Sequence, residues 1–71
     1  MKITYYAETD TLSIQLRSGT SDRTEEISTD ITLDFDIDGN LLSLDLEAAS
    51  QKVDLKTVEL VGLLLQRFAA A

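Results

Sequence analysis

Four aspartates near the middle of the chain have the types and spacing that could bind calcium. The hexad from Asp34 to Gly39 reads D-F-D-I-D-G, which places carboxylates at alternate positions before a glycine that permits a sharp turn. The twelfth position from Asp34 is also an aspartate, and a carboxylate there would close such a site. The sequence therefore offers four candidate calcium ligands: Asp34, Asp36, Asp38 and Asp45.

A purely structural interpretation explains the same residues without an ion. Both flanks of the hexad alternate between apolar and polar residues as strands do, whereas a calcium loop of this kind lies between helices. In an extended strand, Asp34 and Asp36 would lie about 6.8 Å apart along the chain, which is too far to share an ion. The favoured interpretation is a charged outer strand face that ends in an Asp38-Gly39 turn.

Any catalysis would have to rely on carboxylates, because the chain contains no His and no Cys. Nucleophilic triads and thiol chemistry therefore lack their residues, as do the usual sites for zinc, copper and iron. An acid-base pair of carboxylates would need a cleft that shifts their pKa values, and an exposed sheet face provides none. We predict that the protein is not an enzyme and that it uses no cofactor.

The charge balance indicates which partners are favourable. The chain has 13 acidic and 6 basic residues, a net charge of -7, and its basic residues are scattered. Nucleic acid and anionic membrane surfaces are disfavoured as partners, whereas a basic protein would be attracted. The longest apolar run near the C-terminus, Leu60 to Leu65, is far shorter than the roughly 20 residues of a membrane span. A strand pattern begins directly at Lys2 without a signal peptide, so we expect a cytoplasmic location.

The candidate ligands would be positioned by a hairpin that extends from Ile31 to Leu46. A two-residue loop at Asp38-Gly39 allows the two flanking runs to pair without a conflict of register. All six apolar residues of the hairpin would then share one face, and the opposite face would be polar and acidic. The predicted opposite pairs are Phe35 with Leu42, Leu33 with Leu44, and Ile31 with Leu46.

A second hairpin is predicted at the start of the chain. Lys2 to Tyr6 and Thr11 to Leu16 both alternate, and a four-residue loop pairs Tyr5 with Leu12 and Ile3 with Ile14. Within that loop, Glu8 and Asp10 are expected to close backbone turns. The segment 24–30 is either a separate short strand or part of one bent strand from Thr24 to Ile37, and the pattern does not distinguish the two.

From Asp54 the apolar period changes to about 3.6, which predicts a helix over residues 54–69 with Asp54 as its N-cap. Its apolar arc would be roughly 220° wide, whereas one contact with a sheet needs little more than about 100°. A curled sheet could wrap such a helix within one chain. We favour a second copy or another protein, because so small a domain is only marginally stable alone. The predicted interface residues are Leu60, Val61, Leu63, Leu64 and Phe68.

Three groups of residues, taken in order, resemble a known family. The spacing Y-x-x-E-x-D-x-L-x-I-x-L runs from Tyr5 to Leu16, L-D-x-D-x-x-G from Leu33 to Gly39, and L-D-L-E-A-A-S from Leu44 to Ser50. Over roughly Lys2 to Ser50 the chain thus resembles the small bacterial family catalogued as domain of unknown function 2283. The resemblance implies a compact β-meander and a role beside a small toxin-like protein partner. It implies no activity and no catalytic residues.

The sequence therefore predicts a single α+β domain over residues 1–71. An antiparallel β-meander of four or five strands within residues 2–47 would carry the C-terminal helix on its apolar face. The predicted function is a non-enzymatic interaction module that forms a homo-oligomer, most simply a dimer, through that helix and presents its acidic face to a basic protein. Two alternatives remain open: a calcium-binding module that uses the Asp-x-Asp-x-Asp-Gly loop, and a scaffold without a specific activity.

Overall fold

The computed structural model describes residues 1–64, and one five-stranded antiparallel sheet dominates it. The predicted antiparallel meander is confirmed: β3, β4 and β5 follow one another across the sheet, and β5 then pairs with the β1–β2 hairpin. The strand order is accordingly β1-β2-β5-β4-β3. The elements are β1 (Lys2–Tyr6), β2 (Thr11–Gln15), β3 (Arg23–Glu26), β4 (Ile31–Phe35), β5 (Leu41–Leu46) and a short helix α1 (Ala49–Lys52).

The first hairpin has the predicted register, with Tyr5 opposite Leu12 and Ile3 opposite Ile14. The structure also decides between the two alternatives for the segment 24–30. β3 and β4 are separate strands, and the backbone N–H of Ile27 donates to the carbonyl of Ile31 at 2.9 Å, which closes the turn between them. The sheet therefore has five strands.

The second hairpin differs from the prediction near its turn. Ile31 lies opposite Leu46 and Leu33 opposite Leu44 as predicted, but Phe35 lies opposite Leu41. The loop has three residues, because the Asp36 N–H donates to the Asn40 carbonyl at 2.9 Å.

A three-residue loop of this kind commonly contains a residue in the left-handed region, and Gly39 supplies it with φ +84°. One residue more in the loop requires one unpaired residue in β5. Leu42 is that residue, at a β-bulge that restores the predicted register on its far side.

The predicted helix over 54–69 is wrong for the part of it that the structure describes. The only helix described at this end of the chain is the four-residue α1, and residues 54–64 contain none. Asp54 Oδ1 accepts the backbone N–H of Lys56 at 2.9 Å, as an N-cap would, but no helix follows it in residues 54–64. Gly62 has φ +75°, which a helix excludes, and Val58 and Val61 have weak helix propensity. Residues 65–69 of the prediction lie outside the described part.

Few of the described apolar side chains are completely buried, and most of those on the strands are half-buried. Among residues 1–64, the hydrophobic residues classed as buried are Leu42, 5% exposed, and Ala49, fully covered. Loop residue Gly19 passes over Leu42, so that a Cβ at Gly19 would lie 2.9 Å from Leu42 Cδ2. The sheet is therefore a single layer whose apolar face is only partly covered by the described residues.

Candidate functional site

The predicted calcium ligands are not brought together as a metal site. Asp36 uses its carboxylate within its own loop: Oδ1 accepts the N–H groups of Asp38 at 3.0 Å and Asn40 at 2.8 Å, and Oδ2 accepts Asn40 Nδ2 at 3.1 Å. These hydrogen bonds, the backbone one from Asn40 foremost, hold the pKa of Asp36 below its usual value. Asp36 is therefore a structural residue that stabilises the three-residue loop.

Of the other three candidate ligands, Asp38 is exposed in the same loop, and Asp34 and Asp45 lie on the polar face of the sheet. Asp34 Oδ1 accepts the hydroxyl of Thr24, and its Oδ2 accepts Ser43 Oγ at 3.2 Å. Asp45 lies between Ser13 on β2 and Thr32 on β4. Within residues 1–64 the structure contains no cluster of three or more acidic side chains placed to hold a metal ion. The geometry therefore gives no support to the calcium-binding alternative.

A second polar cluster was not expected from the sequence, and it joins the first loop to the helix. Ser50 donates to Asp10 twice, from its backbone N–H to Oδ1 at 3.1 Å and from its hydroxyl to Oδ2 at 2.7 Å. The Tyr5 hydroxyl also donates to Asp10 Oδ1, and the Ala49 N–H donates to the Asp10 carbonyl at 2.9 Å. We call these four residues, Tyr5, Asp10, Ala49 and Ser50, the Asp10 clasp.

The hydrogen bonds of the clasp change the acidity of its members. The Tyr5 hydroxyl, followed by the Ser50 hydroxyl, lowers the pKa of Asp10, because both stabilise the carboxylate. The same hydrogen bond to Asp10 raises the pKa of Tyr5. Sequence reasoning predicted only a local turn at Asp10, since its partners Ala49 and Ser50 lie about 40 residues away. The one signal in the sequence that could have indicated the clasp is that Tyr5, Asp10 and Ser50 all belong to the residue groups that resemble the family.

The clasp predicts a loss of stability in acid. The pKa of Asp10 is lower in the folded chain than its ordinary value of 3.8, so its contribution is complete above that pH and lost as pH falls through the folded value. We expect Asp10→Asn to be less stable than the wild type at neutral pH, because an amide nitrogen cannot accept a hydrogen bond from Ser50. The difference between the two proteins should shrink below about pH 4.

Urea unfolding followed by circular dichroism from neutral to acidic pH measures this effect. Asp22→Asn is the matched control, because it makes the same change at an exposed loop aspartate outside the clasp. An Asp10→Asn deficit that stays constant across the acidic range would contradict the assigned role of the Asp10 carboxylate.

One face of the sheet is a continuous apolar surface. The strand registers place nine side chains in contiguous rows on this face, of which seven are half-buried and two are exposed. Ile3 and Tyr5 at its margin are 48% and 43% exposed. We call this surface the open apolar face; its members are Ile3, Tyr5, Leu12, Ile14, Ile31, Leu33, Phe35, Leu44 and Leu46.

Four of the five predicted interface residues lie in the described part of the chain, where they are exposed and do not form a helix. Val61 and Leu64 are 79% and 99% exposed, and Leu60 and Leu63 are each exposed by more than two-fifths. Phe68, the fifth predicted interface residue, lies outside the described part. We call residues 58–64 the apolar segment. The chain thus presents two apolar surfaces, one on the sheet and one after it.

Comparison with known proteins shows that the sheet and the clasp lie within a region that matches a protein family. A family model described as "Protein of unknown function (DUF2283)" matches residues 2–50, about two-thirds of the chain. No curated protein and no solved structure matches the chain significantly. The match begins at the first residue of β1 and ends at Ser50, so it includes every strand and the complete clasp. The apolar segment lies beyond it. Within residues 1–64, no helix is long and apolar enough to cross a membrane.

Proposed function

We propose, on the premise that this chain belongs to the family described as a protein of unknown function (DUF2283), that it is a non-enzymatic protein-interaction module. It associates with a second copy of itself by covering the open apolar face, and its acidic face is available to a basic protein. The observation that carries the proposal is that, among the described apolar side chains, Leu42 and Ala49 are buried, whereas those of the open apolar face are half-buried or exposed.

A single-layer sheet leaves part of its apolar face in contact with water, which is unfavourable. Small domains are marginally stable because they bury a small fraction of their surface, and contiguous apolar patches on soluble proteins mark interaction sites. The chain has no cysteine for a disulfide and no histidine for a common metal site. Burial against a second copy would supply the missing hydrophobic free energy.

The apolar segment is the part of the chain best suited to provide that cover. Leu60, Val61 and Leu64 are exposed on an irregular stretch that is not tied into the sheet by any strand pairing among the described residues. Association through this segment replaces the predicted association through a C-terminal helix, because residues 54–64 are not helical. The apolar segment, placed on the open apolar face of a second copy, would bury apolar surface on both copies.

The acidic face supports the second part of the proposal. Glu26, Asp34 and Asp45 lie on the polar face of three neighbouring strands, and Lys2 is the basic side chain on that face, at the far edge. Such a concentration of one sign of charge steers an oppositely charged partner and disfavours acidic ones. The resemblance to the family implies a small toxin-like protein partner, so a small basic protein is the partner to seek.

Two of the acidic groups also support a non-enzymatic role. A general acid that works near neutral pH needs a raised pKa, whereas the pKa values of Asp10 and Asp36 are both lowered by hydrogen bonds. These carboxylates hold backbone and hydroxyl groups of the fold itself. We therefore assign both carboxylates a role in stabilising the fold.

Sedimentation velocity and light scattering of the full chain test the self-association. We expect a dimer at micromolar concentration and a melting temperature that rises with protein concentration. Leu64→Glu should weaken the dimer by about tenfold or more, because a charge would then be buried in an apolar contact. The matched control is Ile37→Glu, which changes a hairpin-loop residue that is 81% exposed.

Both variants replace exposed side chains, so the monomer fold should survive in each and circular dichroism can verify it. A wild-type chain that remains monomeric throughout the concentration range would refute the self-association. Equal weakening by Leu64→Glu and Ile37→Glu would refute the role of the apolar segment while leaving the dimer itself intact.

A further inference from the structure

The two edges of the sheet differ in the groups that they offer to another strand. β1 and β3 are the outer strands, so each has one side without a partner among the described residues. The Leu16 N–H donates to the Leu42 carbonyl at 2.7 Å, which directs the even-numbered residues of β2 towards β5. Backbone groups alternate in direction along an antiparallel strand, so the odd-numbered residues of β2 pair with Lys2, Thr4 and Tyr6. The N–H and C=O groups of Ile3 and Tyr5 therefore point outward.

The β3 edge is protected against pairing by its charges. Arg23, Glu25 and Glu26 are all exposed there, with Arg23 Nε 3.5 Å from Glu25 Oε1. Arg23 also covers the ring of Phe35, with its guanidinium carbon 4.5 Å from the ring centroid. Charged side chains on an edge strand, including ones that point to the apolar face, are a common way to block edge-to-edge association.

The β1 edge has no comparable protection. Lys2 is its one charged residue, and it contains no carboxylate. Its large side chains Ile3, Tyr5 and Tyr6 are all exposed by more than two-fifths. In a chain of net charge -7, β1 is thus a strand that two copies can bring together without opposing acidic groups. Pairing of two β3 strands would oppose acidic groups in either register: Glu25 with its own copy about an axis at Glu25, or Glu26 with the partner's Asp22 about an axis at Thr24.

We propose that β1 pairs antiparallel with β1 of a second copy across a two-fold axis at Thr4, which joins two five-stranded sheets into one of ten strands. This register overlaps all five residues of each β1. It places Ile3 of each copy opposite Tyr5 of the other. In both of these pairs, the outward N–H and C=O groups of the two residues hydrogen-bond to each other. Lys2 lies opposite the partner's Tyr6, where its ammonium can contact the ring.

The pairing deepens the proposed self-association and rests on it. A two-fold axis closes the assembly at two copies, whereas pairing of β1 with β3 would continue without end. Ile3 and Tyr5 belong to the open apolar face, so two such faces become one continuous surface across the axis. Each apolar segment can then lie on a surface that both copies form. The β1 edge fixes how the copies are arranged, and the apolar segment supplies further burial.

A single introduced cysteine tests the register, because the natural chain has none. On the axis, Thr4 forms a non-hydrogen-bonded pair with its own copy, with Cα atoms about 4.5 Å apart, which suits a disulfide. We expect Thr4→Cys to form a covalent dimer rapidly under mild oxidation. Lys2→Cys is the matched control on the same strand and face. Its two copies would lie four residues apart in register, about 14 Å, which is too far to bridge.

Light scattering of the reduced variants separates this inference from the proposed function. Rapid cross-linking of Thr4→Cys with little cross-linking of Lys2→Cys, in a sample that is dimeric when reduced, supports the β1 pairing. A reduced dimer in which Thr4→Cys links no faster than Lys2→Cys overturns the pairing and leaves self-association standing. A monomer in every reduced sample overturns both. Rapid linking of Thr24→Cys on β3, with none at Thr4→Cys, would assign the contact to the opposite edge.

Discussion

Replacement of Leu42 by alanine should lower the free energy of unfolding by about 2–5 kcal/mol, the range for a buried leucine whose removal leaves a cavity. Leu42 is 5% exposed and lies beneath Gly19, while its carbonyl accepts the N–H of Leu16. The bulge holds this side chain in a fixed position, so the surroundings can relax only partly into the space. A loss of this size is a large part of the total stability of a small domain.

Urea unfolding followed by circular dichroism measures the change, at a protein concentration that is held fixed because association would otherwise shift the midpoint. Ile37→Ala is the matched control, since it removes a similar side chain that is 81% exposed in the hairpin loop. Its effect should stay within about 0.5 kcal/mol. Equal losses from the two variants would show that Leu42 is not the centre of the small core.

Enlargement of Ala49 to leucine should also destabilise the chain, by about 1–3 kcal/mol. Ala49 is completely covered, and its N–H donates to the Asp10 carbonyl at 2.9 Å. A larger side chain has no space there without displacement of α1 from the first loop, and that displacement would lengthen the hydrogen bonds between Ser50 and Asp10.

Gln51→Leu provides the comparison, because it adds leucine to an exposed position of the same helix and should change stability little. Thermal and urea unfolding of both variants measure the difference. The two-dimensional NMR signal of the Ser50 amide would report the clasp directly, and it should move in Ala49→Leu alone. An Ala49→Leu protein as stable as the wild type would contradict the close packing of α1 against the loop.

The hairpins could be predicted from the sequence because their information is local. Alternation between apolar and polar residues assigns the faces, and the lengths of the loops set the pairing of Tyr5 with Leu12 and Leu33 with Leu44. The Asp38-Gly39 pair indicated a two-residue turn. The side chain of Asp36 selects a three-residue loop instead by accepting two backbone N–H groups, and the bulge at Leu42 absorbs the extra residue.

The features that sequence reasoning missed depend on contacts between distant residues. Asp10 and Ser50 are joined by two hydrogen bonds across 40 positions, which no period or turn rule could indicate. The helix predicted from Asp54 had a convincing apolar period, but most helical stability comes from packing against other elements. Residues 58–64 are all exposed, so that packing is missing in the described chain. Periodicity reported the apolar character of the segment and not its conformation.

The position of β5 between β2 and β4 has a consequence for synthesis of the protein on the ribosome. Until Leu46 has left the exit tunnel, the nascent polypeptide can form only separate hairpins, and an isolated two-stranded hairpin is marginally stable in water. β5 is the strand that connects the two halves, and among the five strands of the described sheet it is the last to be translated. The sheet must therefore assemble late and in one cooperative step, after nearly all of the region that matches the family has emerged from the ribosome.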